Sequence, residues 1–195
     1  MYLYIPCYRI VSCYNKNMKQ AIIKVKLKDP EGFEKKLSDI YFDFSPIYWQ
    51  HDRVYAPRGF KHATNLPRLT MRTEMRAIDE PAHYYLMLRR HIEDSGIDVV
   101  EKSAVSDYEN TVNIILQLGF KPIGESSRRR QEIDMGDDTF IYLDHIDGKE
   151  EGVAYAKIES ILKDGDSAEE SLKDLKKTFA TFGETDIVEY SYGEL

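Results

Sequence analysis

Residues 21–28, AIIKVKLK, constrain the chain more than any other stretch. In an extended strand successive side chains point to opposite faces. Ala21, Ile23, Val25 and Leu27 then form one apolar face, while Gln20, Ile22, Lys24, Lys26 and Lys28 share the other. Such a strand has a core side and a basic side. On a solvated sheet the basic side is a rim, because lysine is common on exposed strand faces, so what matters is whether other strands repeat the pattern.

They do. Residues 69–76 (LTMRTEMR) and 83–90 (HYYLMLRR), separated by the turn-prone Asp79-Glu80-Pro81, read as a hairpin. Thr70, Arg72 and Glu74 share a face of its first strand, and Tyr85, Met87 and Arg89 share a face of its second, so each strand aims an arginine at a common side. Residues 126–133 put Arg128 and Arg130 on one face and Arg129 on the other; residues 139–146 align Tyr142 with Asp144; residues 153–161 align Tyr155, Lys157 and Glu159. A further strand is expected near 97–105. Residues 41–56 are aromatic-rich and broken by Pro46, which suits two strand pieces around a turn. Helices are expected at 30–37, behind a capping Asp29; at 108–118, ending on Leu118-Gly119-Phe120; and at 167–182, where Ser167 to Glu170 has capping-box spacing. Residues 57–67 read as a loop, and 187–195 as a final strand or short helix.

At 195 residues the chain suits one domain with a sizeable core, preceded by an extension at 1–17. Hydrophobic residues make up 42% and charged residues 31%, so most of it should fold. The net charge of −7 argues against a general nucleic-acid binder. Cations gathered in a concave place against that acidic average await an anion. Cys7 and Cys13 match no metal or redox spacing, which makes reducing, cytoplasmic surroundings the expectation. Residues 1–17 lack a basic start, carry Arg9 in their middle and are too short to span a bilayer, so neither export nor a membrane partner is expected. His51, His62, His83, His91 and His145 share no metal-ligand spacing, and Trp49, Tyr48 and Tyr55 read more simply as core or edge aromatics than as a base-stacking set. Cations facing the inside of a closed antiparallel barrel repel one another unless an anion or interleaved carboxylates compensate them, so the recurring pattern predicts a polyanion site.

From residue 18 to 195 the order of segments resembles the CYTH family of triphosphate tunnel proteins, which includes class IV adenylate cyclases and thiamine triphosphatases. Lys24 stands where that family ends a Glu-x-Glu-x-Lys strand, and Gln50-x-Asp52 precedes Tyr55. Arg72 closes a Leu-Arg-x-Arg, and Leu86-x-x-Arg89 replaces Leu-Thr-x-Lys. Leu118-Gly119-Phe120, Arg128-x-Arg130, Leu143-Asp144, Lys157-Ile158-Glu159 and the terminal Ser191-Tyr192-x-Glu194-Leu195 follow in the family's order. The resemblance implies an α+β fold, an eight-stranded antiparallel β tunnel with helices packed outside. It implies a phosphate-gripping set of Lys24, Arg72, Arg89, Arg128 and Arg130, with Lys26 as an addition, and acidic residues that hold Mg2+ or Mn2+.

The acidic half departs from the pattern. With Lys24 as the motif lysine the family glutamates fall at Gln20 and Ile22; with Lys28 they fall at Lys24 and Lys26. The strand before the central helix offers Val100, Lys102 and Ala104, and Lys157 replaces the first acid of Glu-Ile-Glu. Asp144 and Glu159 remain as metal candidates. Mg2+ usually relies on one or two carboxylates plus substrate phosphates, so two acids hold one metal at most. The expectation is a binder of a triphosphate-bearing small molecule or inorganic polyphosphate with divergent or lost metal-dependent catalysis. Two alternatives stand beside it: an active triphosphatase or cyclase with one metal on Asp144 and Glu159, and a protein-interaction module whose tunnel is filled by its own salt bridges. Whether the chain forms a homodimer is left open.

Overall fold

The computed structural model describes residues 18–40, 44–60, 67–92, 97–148 and 153–188. In chain order the elements are β1 (Met18–Lys26), α1 (Pro30–Ile40), β2 (Tyr48–Ala56), β3 (Arg68–Met75), β4 (His83–Ile92), β5 (Ile97–Val105), α2 (Tyr108–Gln117), β6 (Lys121–Gly136), β7 (Thr139–Ile146), β8 (Ala154–Leu162) and α3 (Ala168–Thr181). The strands close into one antiparallel barrel in the order β1-β5-β4-β3-β2-β6-β7-β8. β1 completes it, pairing with β5 through Met18↔Val100 and with β8 from Lys19↔Leu162 to Lys26↔Tyr155.

The apolar core lies outside the barrel. Ala21, Ile23, Val25 and Leu27 point outward from β1 into a cluster with Ile133, Ile141, Leu143, Ala156 and Ile158 of the neighbouring wall, and Phe33, Leu37, Leu175, Phe179 and Phe182 of α1 and α3 cover them. The Phe33 ring sits 5.5 Å from Phe182 and 6.3 Å from Phe179, which locks the two helices together. A second outer cluster packs Ile115 of α2 against Tyr55 and Met71, with Leu69, Leu86, Val105 and Phe120 around them.

Local chemistry sets the boundaries. Asp29 caps α1 by accepting from Gly32 N at 3.0 Å, and its carboxylate lies 2.1 Å from where a Cβ on residue 32 would stand, so a larger residue there would displace the cap. α2 ends at Gly119, whose φ of 89° lets Gly119 N and Phe120 N turn back onto the carbonyls of Leu116 and Ile115. Ser167 caps α3, accepting from Glu170 N. Asp137 and Asp138 both have positive φ, the backbone a two-residue hairpin needs between β6 and β7.

The described residues narrow three expectations, and 41–43 lie outside them. Residues 41–56 hold one strand, β2, among the described residues: 44–47 precede it without strand structure, since Pro46 lacks an N–H, and Ser45 instead bonds Glu132 through both backbone and hydroxyl. β1 stops at Lys26, so Lys28 lies beyond the strand and is exposed, while Lys24 faces the lumen. In the tail, Ile187 makes a single bridge to Val25; the rest of that expected element, like the extension at 1–17, lies outside the described residues. No helix among the described residues is long and apolar enough to cross a membrane.

Phe33 is 2% exposed and wedged between two other rings, so Phe33→Ala should cost about 3–5 kcal/mol. Urea denaturation monitored by circular dichroism measures it; a loss under 1 kcal/mol would mean that α1 does not hold the outer core.

Candidate anion-binding interior of the barrel

With the apolar side chains outside, the other face of every strand lines the lumen, and that face is charged. Gln20, Gln50, Asp52, Glu74, Arg128, Arg130, Asp144 and Lys157 are all under 9% exposed. Burying charge at this density is tolerable only where each group is hydrogen-bonded or paired.

The pairing runs around the wall from strand to strand. Arg72 on β3 donates Nε to Asp52 Oδ1 at 2.7 Å and Nη2 to Oδ2 at 2.8 Å on β2. Arg128 on β6 donates Nη2 to the same Oδ2 at 2.7 Å and reaches Gln50 Oε1 at 2.8 and 3.1 Å. Gln50 donates Nε2 to Glu74 Oε2 at 2.8 Å, and Arg76 closes on Glu74 Oε1 at 2.8 Å. Arg130 forms a two-pronged bond with Asp144 on β7, at 2.5 and 2.6 Å. Arg89 on β4 lies 3.4 Å from Asp98 on β5, and Lys157 bonds Glu159 on its own strand. The Tyr142 ring carries two cations, with the Arg130 guanidinium 4.4 Å and the Lys157 ammonium 4.2 Å from its centroid, while its hydroxyl donates to Glu159.

The structure therefore brings Lys24, Arg72, Arg89, Arg128 and Arg130 to one lumen. Lys26 is on the same face but exposed at the barrel's end. Sequence reasoning missed Arg68, which lies directly opposite Arg89 in the β3–β4 register and continues the Arg72 alternation. It also undercounted the acids. Asp144 and Glu159 are joined inside by Asp52, Glu74 and Asp98, and strict alternation along YWQHDRVYA and LTMRTEM places Asp52 and Glu74 inward once Gln50 and Arg72 are. Tyr48 and Trp49 fall on opposite faces, and Tyr55 belongs to the outer core, so the three aromatics form no common stack. His51 bonds the Ser127 hydroxyl on the outer face.

Electrostatics marks the lumen as cation-rich. Burial, reinforced by Arg89 and Arg128, pushes the Lys24 ammonium down to about 8, against opposing pulls from Asp98 and Asp144. Burial and the guanidiniums of Arg130 and Arg89 push Lys157 down as well, although Glu159 opposes them. Burial alone would raise Asp144, yet the Arg130 guanidinium and its hydrogen bonds outweigh that and hold it at about 2. Asp52 is likewise held well below the carboxylate range, burial being outweighed by Arg128 and Arg72.

The carboxylates that the resemblance assigns to Mg2+ or Mn2+ are committed elsewhere. Both Asp144 oxygens accept from Arg130, and the Glu159 oxygens accept from Lys157 and Tyr142. Among the described residues no three His, Cys, Asp or Glu side chains gather as a metal site. Hard divalent ions need several oxygen ligands free of competing cations, and the residues here do not fit one.

No family model matches the chain, and no curated protein matches it in sequence. Solved structures do match it in shape. A Vibrio parahaemolyticus protein with a provisional adenylate cyclase assignment superposes at TM-score 0.72 and 15% identity, covering 92% of this chain and 98% of its own. The barrel has the CYTH-type tunnel fold. A Hippeastrum protein, provisionally an adenylyl cyclase and described as having a dominant triphosphatase activity, matches this chain at TM-score 0.55 and 12% identity over 91% of it and 93% of that protein. A chain in the Schizosaccharomyces pombe Mediator head module matches at TM-score 0.64 and 15% identity, over 85% of this chain and 96% of its own. At these identities the likeness is one of fold.

The depressed Lys24 fixes the sign of a pH effect. The folded state releases this proton near pH 8 while the unfolded chain keeps it to about 10.5, so the cost of a buried ammonium is fully present below pH 8 and is relieved as pH rises from 8 to 10.5. Lys24→Met should therefore stabilise the ligand-free protein most below pH 8, with the gain shrinking across that window. Thermal melts at pH 7 and pH 10 read this directly; an equal effect at both would show that Lys24 is not charged inside the barrel at neutral pH.

Proposed function

We propose that the barrel interior binds a polyanion, either a triphosphate-bearing small molecule or inorganic polyphosphate, and does so without a divalent metal. One observation carries the reading: the lumen is short of negative charge. Lys24, Arg72, Arg76, Arg89, Lys102, Arg128, Arg130 and Lys157 face Asp52, Glu74, Asp98, Glu132, Asp144 and Glu159, and Asp52 alone serves both Arg72 and Arg128 as a close hydrogen-bond partner. Guanidiniums hold phosphate oxygens in the same two-pronged geometry they use for carboxylates and stay charged while doing so. The triphosphatase activity described for the Hippeastrum protein is in keeping with a triphosphate as the ligand class.

Metal-dependent turnover, as a triphosphatase or cyclase, requires Asp144 and Glu159 to leave their cations, and the geometry favours binding without it. A second reading has its own support. Arg128, Arg130 and Lys157 each already hold an internal carboxylate, as expected of a self-neutralised barrel used as an interaction module, and the likeness in shape to a chain of the Mediator head module is in keeping with it.

Isothermal titration with tripolyphosphate separates the readings. Binding should appear in EDTA and be no stronger with Mg2+, should weaken as salt rises, and should fall about tenfold or more in Arg89→Ala. A stably folded protein that binds nothing in either condition would favour the interaction module; binding only with Mg2+ would favour the metal enzyme.

A further inference from the structure

Asp52 sits in an unusual place for a carboxylate. Arg72 grips it with both prongs, at 2.7 and 2.8 Å, and Arg128 adds a third donor at 2.7 Å to the same Oδ2. The donors come from β3 and β6, the two strands flanking β2, so the carboxylate is cradled from both sides by the barrel wall. Three charged N–H groups converging on one small oxyanion make a seat that suits a phosphoryl group as well as a carboxylate. The other buried guanidinium–carboxylate fork differs: Asp144 has Arg130 as its one close guanidinium, with Arg128 Nε at 3.9 Å. Gln50 completes the cradle by fixing Arg128 through Oε1, and its own amide is anchored on Glu74, so Arg128 is held in place independently of Asp52.

We propose that the Arg72–Arg128 fork is the seat for a phosphoryl group of the ligand, and that Asp52 is a built-in competitor which occupies it in the ligand-free protein. The inference rests on the polyanion reading and adds what sets its affinity. Because Asp52 is tethered beside the seat, it competes at a high effective concentration, and the ligand's apparent affinity is reduced by the fraction of time the seat is filled from within. A phosphoryl group carries more charge and more acceptor oxygens than the carboxylate it displaces, so a polyanion wins where a small monoanion does not. Asp52 thereby acts as a specificity residue that excludes chloride, acetate and similar monoanions.

The test is tripolyphosphate titration, in EDTA, of the wild-type protein, Asp52→Asn and, as a control for a one-unit change in net charge, Glu125→Gln. Glu125 pairs with Arg53 on the exposed outer surface. Asp52→Asn keeps the shape of the side chain and one acceptor oxygen but leaves the fork uncompensated. It should bind at least tenfold tighter, gain measurable acetate binding and melt at a lower temperature when ligand-free, while Glu125→Gln stays within twofold of wild type. Wild-type binding with Asp52→Asn unchanged or weaker overturns this inference and leaves the polyanion reading intact. No binding by either protein overturns both. Binding by Asp52→Asn alone supports the competitor and shows that it wins in the native chain. Should Asp52→Asn fail to fold, a crystal structure of the wild-type protein with tripolyphosphate decides: a phosphoryl group between Arg72 and Arg128 with Asp52 turned away supports the inference, and an intact Arg72–Asp52 fork overturns it.

Discussion

Charge inside this barrel is held by pairing between neighbouring strands, and the rest of the structure follows from that. An isolated buried guanidinium would be expensive, whereas one forked onto a carboxylate of the adjacent strand costs far less. Arg72 with Asp52, Arg128 with Asp52 and Gln50, and Arg130 with Asp144 thus do two things at once. They keep the charges buried, and they stitch β3, β2, β6 and β7 together on the face that has no apolar packing. The lumen is stabilised by the same groups that the proposed function assigns to an anionic ligand.

That arrangement forces the hydrophobic core elsewhere. A strand has two faces, and if one is given to charge the other must supply the burial that folding requires. Here α1 and α3 cover β1 and its neighbours on one side, and α2 covers the β2–β5 side. The helices therefore do not build the lumen; they leave it to the strands. Separating apolar packing from the charged lumen lets the inward residues vary in kind while the outer core keeps the barrel closed, which is consistent with structures of 12 to 15% identity sharing this shape.

Much of this was legible in the residues because the period of a strand is two. Once Lys24 faced away from Ala21 and Ile23, alternation put Arg72, Arg89, Arg128, Arg130, Lys157 and Asp144 on the correct side, and all of them line the lumen. β7 begins and ends where its pattern did. What could not be read was reach. Lys26 shares the face of Lys24 but lies too near the end of its strand to be enclosed, and alternation has no coordinate along the barrel axis. Nor could pairing be read. Gln50-x-Asp52 marks the strand and alternation turns Asp52 inward, but its partners emerge only when β3 and β6 are placed on either side of β2. Among the described residues ahead of β2, the lack of strand structure at 44–47 goes with a tertiary contact, the anchoring of Ser45 on Glu132, which no local pattern announces.

The closure through β1 also bears on how the molecule is made. Its first described strand completes the cylinder by zipping onto β8, so Lys24 must wait for Lys157 to be synthesised before either has its final neighbours. At ribosomal speeds that wait is on the order of ten seconds. During it the outward apolar edge of β1 has neither its partner strand nor α3 to cover it, and the nascent chain exposes an unpaired strand edge of the kind that invites aggregation. The lysines of β1 are suited to that interval as well as to the finished lumen, since charge on an unprotected edge discourages pairing with other chains until the proper strand arrives.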